Sequence, residues 1–131
     1  MRKFKAIAVA DLHCGCPRLD PIHFVKTVRE FILPKIQSDV THVFVVGDFF
    51  DLQITMNSAA SAAAIKAITD LKTVCAAAGS KLRVLRGTYT HDRNQGMHFM
   101  YASPEFNYCV KVVDSMTIEY DEETKMNFLY I

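Results

Sequence analysis

Three short, β-branched runs, each cut off by a metal-competent or acid–base side chain, constrain this sequence more than any other feature. The first, Lys5-Ala6-Ile7-Ala8-Val9-Ala10, stops at Asp11-Leu12-His13. The second, Val43-Phe44-Val45-Val46, stops at Gly47-Asp48-Phe49-Phe50-Asp51. The third, Leu82-Arg83-Val84-Leu85-Arg86, runs into Gly87-Thr88-Tyr89-Thr90-His91-Asp92. Apolar runs this short read as buried strands, too brief and too β-branched for helices.

The segments between them are long enough to hold a helix each. Asp20-Pro21 is a helix start, with Asp20 capping and Pro21 at the first position, where its missing N–H costs nothing. Phe24, Val25, Val28, Phe31 and Ile32 then recur at helical spacing until Pro34 ends the pattern. Residues 58–78 are alanine-rich, with Ile65, Ile68, Leu71 and Val74 at helical steps and Gly79 as the C-cap. Strand, helix, strand, helix, strand predicts parallel pairing with right-handed connections.

Parallel strands finish at the same sheet edge, and ligands of open α/β sheets lie outside the carboxyl ends of the strands. Asp11, His13, Asp48 and His91 are therefore expected in one crevice. If the extended conformation persists past the first strand, Asp11 and His13 lie on the same side. A carboxylate oxygen and a neutral imidazole nitrogen there suit a divalent cation.

Of the 131 residues 50% are hydrophobic and 22% charged, with a net charge of +1. That describes about one globular domain, without the basic field that advertises nucleic acid. Apolar stretches carry Lys or Asp every few residues, so no membrane span is expected. The basic start runs into a short strand ending in Asp11, not a signal peptide. Cys14, Cys16, Cys75 and Cys109 fit neither a zinc ribbon nor a disulfide scaffold, and reduced cytoplasmic thiols are expected. Cys14 and Cys16 lie beside the proposed metal site, but sulfur ligation ranks behind an oxygen and nitrogen set.

Beyond residue 96 the pattern is plainer. Met97, Phe99, Met100 and Tyr101 read as packing residues. Residues 108–113, 115–120 and 125–131 read as strands, the last two forming a hairpin across a solvated acidic turn at Asp121-Glu122-Glu123-Thr124. His42 reads as a surface residue. The abrupt ending within an apolar strand points to the first part of a longer protein.

Asp11-Leu12-His13, Gly47-Asp48-Phe49-Phe50-Asp51 and Gly87…His91-Asp92 together resemble the first three signatures of the calcineurin-like metallophosphoesterases: D-x-H, G-D-x-x-[DH] and G-N-H-[DE]. The resemblance runs through most of the chain. Gly-Asp followed by Phe-Phe-Asp is most similar to the double-strand-break repair nucleases (SbcD type), and residues 86–92 resemble the variant in phage and bacterial exonuclease subunits. The likeness implies an α/β fold, the N-terminal part of an αββα sandwich, with a parallel βαβαβ start followed by antiparallel strands. Residues 1–131 would form the N-terminal portion of a metallophosphoesterase domain.

The same resemblance implies that Asp11 and His13 hold a first metal and that Asp48 bridges to a second. It makes His91 the catalytic acid, with Asp92 orienting it. Two divalent cations are implied, Mn²⁺ first and Fe or Zn²⁺ as alternatives. DNA, an SMC-like ATPase subunit and a second copy of the chain are the implied partners. Thr90 stands where the family has an asparagine ligand, set off from Gly87 by two additional residues. Thr90 itself, the Thr88 hydroxyl or Asn94 are its candidate replacements. The family's later motifs, a lone histidine and G-H-x-H, are not in this chain. Arg86 and Arg93, with Lys81, are candidate contacts to a DNA backbone. The implied activity is metal-dependent phosphodiester hydrolysis by a DNA exo- or endonuclease. The alternatives are a phosphatase or nucleotide phosphodiesterase of the same superfamily, or a non-catalytic binding or assembly module with an incomplete metal site.

Overall fold

A computed structural model describes residues 1–131. Strands β1 (Ala6–Val9), β2 (His42–Val46), β3 (Lys81–Leu85) and β4 (Val110–Val113) form one sheet in that spatial order, every pair parallel. Strands β5 (Thr117–Asp121) and β6 (Met126–Tyr130) form a separate antiparallel pair. The parallel start and the final hairpin are as expected. The strand at residues 110–113 is not antiparallel: it adds to β3 as a fourth parallel strand, because helical turns at 89–92 and 96–100 carry the chain back across the sheet. Strand β1 is an edge strand and only half-buried, with Ala6 and Ala8 exposed, unlike the buried strand expected.

With the strands in sequential order, crossovers of one hand put the packed helices on one face of the sheet, where they touch one another. Helix α1 (Pro21–Thr27) starts as expected: the Asp20 carboxylate accepts from the Ile22 amide at 2.9 Å, and Pro21 opens the first turn. It widens into a π-turn over Val28–Ile32 and tightens to a 3₁₀ turn at Leu33–Lys35, where Pro34 has no N–H to continue the ladder. Phe24, Val28 and Ile32 enter the core, whereas Phe31 is exposed. Helix α2 (Ala59–Ala78) has a reciprocal Ser58–Ser61 capping box and ends at Gly79 with φ +68°. Its fully buried stripe is Ala64, Ala67, Ile68, Leu71 and Cys75, with Ile65 and Val74 only at its margin. These residues meet Val43, Val45, Leu82 and Val84 in one core cluster, so the small alanines let α2 lie close on the sheet. No helix is long and apolar enough to cross a membrane.

Helix α3 (Tyr89–Asp92) and helix α4 (Gly96–Met100) follow β3. Phe99 and Met100 are buried, as their apolar character predicts, while Met97 is half exposed. The loop after α4 is pinned by Lys72, which is 1% exposed. Its ammonium donates to the carbonyls of Met100 (3.2 Å) and Ser103 (2.7 Å) and to the Asn107 side chain at 2.5 Å. Burial pushes this lysine below its ordinary pKa.

The hairpin packs on the opposite face through a partly polar layer. Arg83 grips Glu119 with two hydrogen bonds, Nε to Oε2 at 2.8 Å and Nη2 to Oε1 at 2.6 Å, and the Tyr130 hydroxyl donates to the same carboxylate at 2.8 Å. Lys81 pairs with the buried Asp121. Phe128 lies against Phe4, His42 and Phe44. Three expectations change here. His42 is not a surface residue but 1% exposed, stacked on Phe44. Asp121 is not a solvated turn acid, because Lys81 and Thr124 satisfy it in the interior. Lys81 opens β3, at the strand end opposite Gly87, and its charge is spent on Asp121.

This layer makes the fold acid-sensitive. Burial disfavours ionisation of Glu119, but the Arg83 and Tyr130 hydrogen bonds outweigh it and hold its pKa at about 2. Burial drops His42 to about 4. Both folded values lie below those of the unfolded chain, so the unfolded state takes up more protons on acidification. Melting temperature is therefore expected to fall as pH drops from about 6.5 to 4 through His42, and further below about 4.5 through Glu119. In His42→Phe the first of these two declines should flatten in a pH series of thermal melts. An unchanged slope would rule out the histidine as its source.

Candidate metal centre

The β1 and β2 tips stay hydrogen-bonded beyond the regular strands. The Asp11 amide donates to Gly47 O at 3.3 Å, His13 to Asp48 O at 3.1 Å and Cys14 to Phe49 O at 2.7 Å. The extended conformation, the condition under which Asp11 and His13 would share a side, does not persist there. Asp11 (φ +55°), His13 (+50°) and Asp48 (+50°) are all left-handed. Such a conformation costs an L-residue about 1–2 kcal/mol. Backbone strain of this kind clusters where a side chain must be aimed.

The result still brings the acid and the imidazole together. His13 Nε2 lies 3.8 Å from Asp11 Oδ1, and one ligand atom each from Asp11, His13 and Asp48 falls within 4.8 Å of the others. Two carboxylates and an imidazole at that separation fit a borderline divalent cation such as Mn²⁺, Fe²⁺ or Zn²⁺. In a second group, one ligand atom each from His13, Asp51 and His91 also lies within 4.8 Å of the others. His13 Nδ1 is 2.9 Å from Asp51 Oδ1, which leaves Nε2 turned toward Asp11. Carboxylate-to-imidazole pairs of this kind fix the tautomer and orientation of a metal-ligating histidine. Asp51 was not singled out as a site residue from sequence. Its signal was there in the Gly47-Asp48-Phe49-Phe50-Asp51 stretch, three residues past Asp48.

His91 stands edge-on to His13, with ring centroids 4.8 Å apart. Its Nδ1 lies 2.8 Å from the Asp51 carbonyl oxygen. A carbonyl only accepts, so Nδ1 carries the hydrogen and Nε2 is the nitrogen left for proton exchange. The orienting partner is thus Asp51 and not Asp92. Asp92 is 4% exposed, and its carboxylate accepts three backbone amides: Asp48 at 3.2 Å, Phe50 at 3.0 Å and Gly87 at 2.5 Å. It positions the Asp48 turn and makes no bond to His91.

Asp48 is held from the other side by Thr88, whose amide (2.7 Å) and hydroxyl (3.1 Å) both donate to Oδ1. These bonds, the amide foremost, lower the Asp48 pKa and leave Oδ2 free. The Thr90 hydroxyl donates to the Thr88 hydroxyl at 3.4 Å. Asn94 turns away to accept from Arg86 Nη1 at 2.9 Å. Arg93 donates from Nε to Thr90 O at 3.1 Å. Neither cysteine of the first loop is among the candidate donors. Cys14 is 1% exposed, and burial raises its thiol to about 12. A comparison with protein-family models finds no match, and neither does one with curated protein sequences.

Gly87 is what lets the β2 and β3 tips touch. A Cβ there would sit 2.1 Å from both the amide nitrogen and Oδ1 of Asp48. Gly87→Ala is expected to cost several kcal/mol and to displace Asp48. Gly96→Ala, whose new methyl meets only Val112 Cγ1 at 3.9 Å, should be neutral or slightly stabilising. Urea denaturation of the two variants checks the contrast. Asp51→Ala, which frees the His13 ring, should weaken Mn²⁺ binding about 10- to 100-fold by isothermal titration. Affinity equal to that of the unaltered chain would exclude the orienting role.

Proposed function

We propose that this chain is a metal-dependent phosphodiester hydrolase of the calcineurin-like metallophosphoesterase kind, acting on DNA. The observation that carries the reading is the meeting of Asp11, His13 and Asp48 donors within 4.8 Å, with His91 alongside from the next strand tip. A layer of helices, a parallel sheet and an antiparallel pair is compatible with the αββα sandwich of that superfamily. The order and identity of the three strand-tip motifs add to the case.

Asp11, His13 Nε2 and Asp48 Oδ2 would hold the cation. When bound, it supplies Lewis-acid charge for the phosphoryl oxygens and acidifies water for attack. The remaining roles fall to the chain itself. Thr88 and Asp92 fix the Asp48 turn, so its carboxylate needs no reorganisation on binding. His91, with Nδ1 committed to the Asp51 carbonyl, has Nε2 free to take up a proton, and as the imidazolium would deliver that proton to the leaving-group oxygen. Arg86 and Arg93 have no carboxylate within ion-pair distance and supply positive charge for a phosphate backbone.

The second reading is a module with a single ion and no turnover. It is favoured by one feature: Thr88 occupies Asp48 Oδ1, and Thr90 stands where the family has its asparagine ligand. Titration with Mn²⁺ separates the two, because one equivalent without hydrolysis supports the module. For the hydrolase, Mn²⁺-dependent cleavage of bis(p-nitrophenyl) phosphate is expected, abolished by EDTA and by Asp48→Ala. His91→Asn should lower kcat about 10²- to 10⁴-fold while leaving Mn²⁺ affinity unchanged. Full turnover in Asp48→Ala would refute the assignment.

A further inference from the structure

The segment that carries His91 also carries an exposed aromatic ring with no packing duty. Tyr89 follows Thr88, the residue that bonds Asp48, and opens the single turn of α3. It is 64% exposed. Its aromatic neighbour is a cation: the Arg93 guanidinium lies over the ring, 5.8 Å from the centroid. Arg93 reaches that place from a left-handed backbone (φ +49°), and its Nε anchors on Thr90 O. Asn94 is left-handed as well (φ +58°) and holds Arg86. The turn is therefore bent twice at a conformational cost, with Arg93 over the ring and Arg86 tied to the same segment through Asn94.

Arg2, Arg29 and Arg83 are each paired with a carboxylate, whereas Arg18, Arg86 and Arg93 are not, and the last two share the segment of the ring. An exposed ring with one unpaired guanidinium over it and a second on the same segment suits one ligand chemistry: a planar base between phosphates. A small phosphoester would use neither the ring nor the second arginine. A duplex offers its phosphates but keeps its base faces stacked inside, so the ring would find no partner. Base-on-aromatic stacking with arginine at the backbone is how unpaired strands are held without sequence readout.

We propose that Tyr89, backed by Arg93, is a stacking platform that makes the site selective for an unpaired base of single-stranded DNA next to the hydrolysed phosphate. This rests on the phosphodiesterase reading for its location but not for its test. Binding of a fluorescein-labelled ten-nucleotide DNA strand is followed by anisotropy in EDTA, where no hydrolysis occurs. The single strand is expected to bind more tightly than a hairpin duplex of equal charge. Tyr89→Ala should weaken single-strand binding about tenfold, Tyr89→Phe should retain it, and thermal melts of both should match the unaltered chain. An abasic strand of the same length should bind the unaltered chain no better than the normal strand binds Tyr89→Ala. Equal affinity of the abasic and normal strands, a preference for duplex, or no loss in Tyr89→Ala would overturn the platform. Hydrolysis of bis(p-nitrophenyl) phosphate with Mn²⁺ is scored separately, so failure of the hydrolase reading leaves the stacking result readable.

Discussion

Three backbone amides donating to one buried carboxylate hold this structure's working edge together. Asp92 ties Asp48, Phe50 and Gly87, so the tips of β2 and β3 cannot separate without stranding an acid and its donors in the interior. Leaving such groups unpaired costs about 1–3 kcal/mol each. The tie is possible because two glycines meet where the tips cross, a Cβ on Gly47 lying only 3.0 Å from Gly87 Cα. Close approach, buried acid and aimed Asp48 are one device.

The strain at Asp11, His13 and Asp48 makes sense beside that device. Three left-handed, non-glycine residues at two adjacent strand tips would cost about 3–6 kcal/mol together if nothing offset them. The cross-tip amide bonds from Asp11, His13 and Cys14, and the insertion of Cys14 and Phe50 into the core, hold them in place. The hairpin, at the far face, is held quite differently, by the Arg83–Glu119 and Lys81–Asp121 pairs and a cluster of aromatic rings. Acid should therefore loosen the hairpin layer through groups that the Asp92 tie does not contain.

Much of this was legible in the chain. The β-branched runs and the Asp20, Ser58 and Gly79 caps are local signals, and they located β1 to β3, α2 and the start of α1 within a residue or two, whereas the regular turns of α1 stop at Thr27, before Pro34. The direction of β4 was missed because the segment before it shows no long helical pattern, and only the short helices α3 and α4 reveal that it is a crossover. His42 and Asp121 were misplaced for a related reason. Polar residues are exposed by default, and only the hairpin folding back over β2 and β3 supplies the partners that let them be buried.

The sequence alone determined that Asp11, His13, Asp48 and His91 would share one rim. Parallel strands joined by helical crossovers leave no other place for residues at their carboxyl ends. Only the tertiary structure decided what each neighbour does there. It gave the imidazoles to Asp51, Asp48 to Thr88 and the loop amides to Asp92. Those assignments depend on hydrogen-bond distances between loops some forty residues apart, which neither spacing nor residue type encodes.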